Sequence, residues 1–280
     1  DYDADKGWHD CRIVPFGPIM MHPGSTILHY GAGAFEGMKA YRKEDGSCQL
    51  FRPSENAKRM EKSIDRLCLP HLDADTILDL IERFVEFEQD WVPNEKGTSL
   101  YIRPYEFGCD EPIGLHGIQK AKFMIITCPV GNYYKEGIKP VKIAIEEHDV
   151  RAVRGGTGDC KVGGNYAASN RAEAVAEHNG FTQVLWLDGV HQKYIEEVGS
   201  MTVMFKINGE IVTPMLTGSV LPGITRKSAI EYLTSKGYKV TERLITAEEV
   251  LEAAKNGTLE EAWGTGTAAV VSPIGILHYE

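Results

Sequence analysis

The six cysteines, at positions 11, 48, 68, 109, 128 and 160, include no Cys-x-x-Cys pair. Zinc-ligand spacing and a disulfide framework are both missing, so no metal site is expected. No Lys/Arg-rich run occurs, and a net charge of −10 with a pI near 5.5 argues against the basic face that nucleic-acid binding needs. The longest apolar runs, Phe123 to Ile126 among them, fall far short of the roughly 20 residues of a membrane helix. The first residues contain no apolar signal region. The expectation is a soluble, non-secreted, cytoplasmic protein, with an organelle open if a transit peptide was removed. Internal repeats and low-complexity tracts are absent. So are two phosphate fingerprints: Gly31, Gly33 and Gly37 do not make G-x-G-x-x-G, and Gly158 stands three residues before Lys161 rather than one, with Val162 where a P-loop needs Ser or Thr.

What is present is a chain of 280 residues, 42% hydrophobic, enough for one large or two modest domains around a sizeable core. Cys11 to Phe16 and Ile27 to Tyr30 read as short strands. Met38 to Arg42 and Cys48 to Arg52 flank Glu44-Asp45-Gly46, a hairpin signal. Ala57, Met60, Ile64 and Leu67 recur at helical spacing behind Ser54, the expected N-cap, and a second helix runs from Asp75 toward Pro93. Ser99 to Arg103, Lys122 to Thr127 and Val141 to Glu146 read as strands. Ala167 to His178 reads as a helix stopped at Asn179-Gly180. Asn208-Gly209 predicts a type I′ hairpin between Met201 to Ile207 and Glu210 to Thr213. Further helices are expected behind Pro222-Gly223 and behind Thr246-Ala247-Glu248-Glu249, a capping box.

The stretch from Gly155 to Tyr166 places one lysine, Lys161, between two glycine clusters. Glycines let a loop fold tightly around something planar or anionic. A lysine held there can be an imine-forming amine if its surroundings lower its pKa from about 10.4; on spacing alone, a solvated lysine in a surface loop is an equal reading.

Read with Glu196-Glu197-Val198-Gly199-Ser200-Met201 and Leu221-Pro222-Gly223-Ile224-Thr225-Arg226, the lysine stretch resembles the branched-chain-amino-acid aminotransferases, pyridoxal-phosphate (PLP) enzymes of fold type IV. The resemblance runs from Lys6-Gly7-Trp8 to Pro273 with the motifs in family order. It implies a two-domain α+β/α/β fold: a small α/β sandwich domain over 1–130, an interdomain loop over 131–138, and a larger PLP-binding domain with a pseudo-barrel β-sheet over 139–280.

The resemblance also implies roles. Lys161 would form the Schiff base and carry the proton between Cα and C4′. Tyr166 would donate to the phenolic oxygen, and Glu197 would pair with the pyridine nitrogen, with Glu196 as its rival. Arg59, the amides of Ile224 and Thr225, and the Thr265 hydroxyl would bind phosphate. Tyr30, Phe35, Tyr101, Arg103, Tyr133, Thr267 and Ala268 would face substrate. The expected reaction is transamination of Leu, Ile and Val with 2-oxoglutarate by a homodimer in which Tyr30 and the Ile113–Leu115 loop reach the partner's site. From the residues alone, the aromatic cluster of Phe35, Tyr101 and Tyr133 supports only an apolar side-chain pocket. A D-amino-acid aminotransferase or an aminodeoxychorismate lyase shares the lysine and glutamate, and a catalytically silent binding homologue is a remoter alternative. Cys160, beside Lys161, is the thiol expected to sense oxidants.

Overall fold

The structure, a computed structural model, describes residues 1–131, 139–268 and 270–279. They form two compact units, Asp1–Asn132 with Cys160–Gly163, and Tyr133–Asp159 with Gly164–Glu280. Both units combine strands and helices, an α/β organisation.

The first unit contains β1 (Tyr2–Asp3), β2 (Gly7–Trp8), α1 (Thr26–Tyr30), β3 (Gly33–Phe35), β4 (Met38–Arg42), β5 (Cys48–Leu50), α2 (Pro53–Arg66), α3 (Ala74–Phe87), β6 (Ser99–Gly108) and β7 (Lys120–Val130). Its sheet runs β2-β1-β7-β6-β4-β5, with β3 also paired to β6. Helices α2 and α3 cover one face, where Met60, Ile64, Ile77 and Ile81 pack with Leu100 and Ile102, all fully buried. Each such side chain contributes about 1.5–3 kcal/mol by leaving water. Side chains alternate across a strand, so the opposite face of the sheet carries Lys39, Tyr101, Arg103 and Tyr105.

Several local expectations change here. Ile27 to Tyr30 is helical, not a strand: Gly31 closes the short turn in the left-handed region at φ 63°, and four residues are too few for periodicity to separate the two states. Cys11 to Phe16 forms no strand. Helix α2 is preceded by Arg52 at φ 51° rather than capped by Ser54, with Pro53 supplying its first residue. Asp73 caps α3, its carboxylate accepting from the Thr76 amide. Strand β6 continues through Pro104 because β3 pairs with Tyr105 to Phe107 and β4 with Leu100 to Ile102. The missing amide falls in the gap between them, where the Pro104 carbonyl instead accepts from Glu36.

In the second unit come β8 (Val141–Ile145), α4 (Gly163–His178), β9 (Gln183–Leu187), β10 (Ile195–Val198), β11 (Thr202–Ile207), β12 (Glu210–Pro214), α5 (Ile224–Ser235), β13 (Val240–Arg243), α6 (Ala247–Lys255), β14 (Leu259–Gly266) and β15 (Val270–His278). The sheet order is β10-β9-β8-β15-β14-β11-β12-β13. Its core centres on Ile143, Leu185, Val203, Phe205 and Ile245. The Asn208-Gly209 turn has both residues at positive φ, 50° and 75°, as type I′ requires. Thr246 accepts from the Glu249 amide at 3.0 Å, completing that half of the expected box. Helix α4 begins four residues earlier than its composition predicts: Gly163 and Gly164 lie in its first turn despite their low helix propensity.

Candidate active site

In the first unit the lysine is seated by its own backbone. The Lys161 amide donates to Ser63 Oγ on α2 at 3.0 Å, its carbonyl accepts from the Phe35 amide at 3.0 Å, and Val162 bridges Ala34. Its Nζ lies 5.0 Å from the centre of the Phe35 ring. Arg103 stands over the same ring at 4.6 Å, so two cations share one aromatic side chain. Arg103 also donates to the Tyr101 hydroxyl at 2.8 Å, while its buried Nε has no hydrogen-bond partner. Lys39 is the register partner of Tyr101, and burial pushes its amine below the ordinary lysine range. Lys161, Phe35, Tyr101 and Arg103 are thus brought together in one unit.

Arg59 lies in the same unit, 8% exposed, forked onto Glu36: Nε to Oε1 at 2.6 Å and Nη2 to Oε2 at 2.9 Å. The Asn56 amide and the Gly37 N–H donate to the same carboxylate. Burial of Glu36 opposes its charge most, yet Arg59, Lys161 and Asn56 together hold the carboxyl below its usual range. Tyr30 is part-exposed on α1; Ile113 and Leu115 are 72% and 89% exposed. Cys160 is 1% exposed, and a thiol packed in the core is out of reach of dissolved oxidants, which corrects the expectation of a sensor.

The second unit holds the other candidates. Glu197, 4% exposed, accepts from Arg151 Nε at 2.8 Å and from the Leu221 amide at 2.7 Å. Glu196 is engaged elsewhere, by the hydroxyls of Ser219 and Thr217, and burial raises its pKa. Thr265 on β14 is the register partner of Thr202 on β11. A side chain at Gly223 would come within 2.9 Å of the Thr202 hydroxyl, so the start of α5, with Ile224 and Thr225, abuts the Thr202–Thr265 pair. Gly223 provides no side-chain cap to α5, and the first turn has no acidic residue. Amide donors at an N-terminus of this kind favour an anion. Tyr166 lies in the first turns of α4, and Asn165 beside it donates to the Thr157 carbonyl at 2.8 Å. Thr267 and Ala268 form the turn between β14 and β15. Tyr133 lies outside the described residues.

The donors that the two units carry suit the groups of PLP: an amine, a phenol, a buried carboxylate and an uncapped helix start beside a hydroxyl answer its aldehyde, phenolic oxygen, pyridine nitrogen and phosphate. Sequence reasoning passed over Ser63 and Arg151. No spacing links Arg151 to Glu197, 46 positions apart, so only the folded chain exposes the pair.

The family described as Amino-transferase class IV matches residues 33–276. The chain is 55% identical over 280 residues to branched-chain-amino-acid aminotransferase 2 of Bacillus subtilis strain 168, covering 100% of this chain and 77% of the relative. A probable branched-chain-amino-acid aminotransferase of Staphylococcus aureus strain N315 is 52% identical over 281 residues, covering 100% and 78%. Among solved structures, the T.th. branched-chain amino acid aminotransferase with pyridoxamine 5′-phosphate superposes with a TM-score of 0.81 at 27% identity, covering 94% of this chain and 83% of that one. The Thermoproteus uzoniensis branched-chain aminotransferase with norvaline gives 0.79 at 26%, covering 92% and 82%. With sequence likeness along its whole length and the same fold, the chain belongs to the class IV aminotransferases.

Proposed function

We propose that the protein transfers the amino group of the branched-chain L-amino acids leucine, isoleucine and valine to 2-oxoglutarate, releasing branched 2-oxo acids and glutamate. The observation that carries this reading is the 55% identity to the Bacillus subtilis enzyme along the entire chain. Bound PLP supplies an aldehyde for the substrate amine and a pyridine ring that draws electrons from Cα.

Around it, Lys161 is the catalytic group, holding the resting cofactor and then taking and returning the proton at substrate Cα. Tyr166 donates to the phenolic oxygen, and Glu197 keeps the pyridine nitrogen protonated. Ile224, Thr225, Thr265 and Arg59 hold the phosphate. Phe35, Tyr101, Tyr30 and Tyr133 wall the substrate side chain, with Arg103 beside them; the amides of Thr267 and Ala268 hold its carboxylate. The interdomain loop expected over 131–138 falls, from residue 132 on, outside the described residues.

The active form is a cytoplasmic homodimer with Tyr30 and the Ile113–Leu115 loop directed to the partner's site. Support comes from the apolar surface left open on the first unit, where Phe16, Met20, Ile113 and Leu115 are each more than 70% exposed. No helix among the described residues is long and apolar enough to cross a membrane.

Glutamate formation from 2-oxoglutarate with L-leucine, but not with D-alanine, is the expected result. Turnover of D-alanine, or pyruvate release from aminodeoxychorismate, would assign the chain to a sister activity. A mixed dimer of Tyr30→Ala and Lys161→Ala subunits regains activity if Tyr30 acts across the interface, and stays dead if it serves its own chain.

A further inference from the structure

Arg151 lies in the segment after β8 and is 8% exposed. Its guanidinium makes contacts in three directions. Nε pairs with Glu197 Oε2 at 2.8 Å, Nη1 donates to the Ser219 carbonyl at 2.9 Å, and both terminal nitrogens reach the Gly158 carbonyl at 3.3–3.4 Å. One buried cation therefore ties the strand carrying Glu197 to the loop three residues before Lys161 and to the loop that leads into α5.

The backbone is shaped for this knot. Gly158 stacks so closely on the Ser219 carbonyl and on Ala152 that a Cβ would lie 2.7 Å from the Ala152 methyl group. The second oxygen of Glu197 accepts from Leu221, two residues past Ser219. Burying a guanidinium and a carboxylate is costly unless each is paired and hydrogen-bonded, and here both are. Glu196 is a further carboxyl bearing on Arg151, with Asp188 acting on Glu196 in turn; Ser219 and Thr217 engage Glu196, while Glu197 takes the guanidinium Nε.

We propose that Arg151 is the positioning residue of this site, fixing Glu197 as an anion in one orientation and so setting the charge that meets the pyridine nitrogen. The inference rests on the PLP reading above. A carboxylate without its guanidinium is more basic and draws the proton away from the ring. The loss of one positive charge, and of the ring proton, favours a protonated nitrogen at the Lys161–cofactor linkage, whose absorbance reports the change.

The test is a visible-absorbance pH titration of the holoenzyme, together with turnover, for Arg151→Met and Arg151→Lys. The Met variant should shift the titration midpoint upward by on the order of one pH unit and lose on the order of 10²-fold in kcat. The Lys variant, which keeps the charge, should stay near the wild-type midpoint. In a Glu197→Gln background the Met change should add little further loss, as expected for two groups acting as one.

A Met variant with wild-type midpoint and turnover overturns the proposal, as does full additivity with Glu197→Gln. If the Met variant does not fold, a Lys variant whose midpoint moves by a full pH unit overturns it. Wild-type protein that takes up no PLP would instead refute the cofactor reading, a separate outcome.

Discussion

Glu36 and Arg59 meet in a two-pronged ion pair with the carboxylate wholly buried and the guanidinium nearly so. Replacing Glu36 with Gln takes the carboxylate charge away from a buried guanidinium, a change that costs about 3–5 kcal/mol. Urea unfolding should show that loss, and Glu36→Leu combined with Arg59→Met should recover most of it. The sign of the pH dependence follows from a carboxyl held below its ordinary value. The stabilisation is present above the unfolded pKa and is lost as pH falls through the folded one.

Glu106 gives the opposite sign. It is fully buried on β6, neither oxygen has a hydrogen-bond partner, and burial, with a smaller push from Asp65, raises its pKa to about 8. Between pH 4.5 and about 8 the folded chain keeps a proton that the unfolded chain releases, so stability falls across that window and levels off above it. Glu106→Leu should flatten the profile: little change in Tm at pH 5, a clear gain at pH 9.

Gly37 has no side chain because Tyr101 occupies the space; a Cβ would lie 2.9 Å from the phenol's Cζ. Gly37→Ala should push Tyr101 aside and disturb Arg103, which donates to its hydroxyl. A loss of about 10- to 100-fold in kcat/KM with near-wild-type Tm is the expected outcome of steady-state kinetics.

The adjacent glutamates separate cleanly. Glu197→Gln should lose on the order of 10²-fold or more in kcat. Glu196→Gln should mainly affect stability, since its contacts are the hydroxyls of Ser219 and Thr217. Crippled turnover in the Glu196 variant alone would reverse the assignment.

Borohydride treatment of the holoenzyme should fix a pyridoxyl group on Lys161 Nζ. Peptide mapping that finds it on Lys39, a lysine on the Phe35–Tyr101 sheet face, would overturn the choice of catalytic amine.

Much of the architecture is legible wherever local chemistry is sufficient. The Asn208-Gly209 hairpin, the Thr246 cap and the α2 and α3 stripes each follow from a few neighbouring residues. What the sequence conceals depends on distant partners. Pro104 ends a strand by propensity, and only the gap between β3 and β4 shows why it need not. Glycines 163 and 164 disfavour a helix start until the Asn165–Thr157 bonds anchor it. At the site, the motifs single out Lys161 and Glu197. Their supports, Ser63 and Arg151, stand 98 positions before the lysine and 46 before the glutamate, where no periodicity reaches.

The seat of Lys161 also bears on biosynthesis. Cys160 and Val162 belong to the same core as Ala34, Met60 and Ile102, although the first unit otherwise ends at Asn132. A growing chain must add 163 − 132 = 31 residues beyond that point before this core can close. Contacts of such long range form slowly, so the emerging first unit passes through a stage with an open apolar seam at Ala34. A gene cut between the two units would leave that seam unfilled and Lys161 on the wrong fragment.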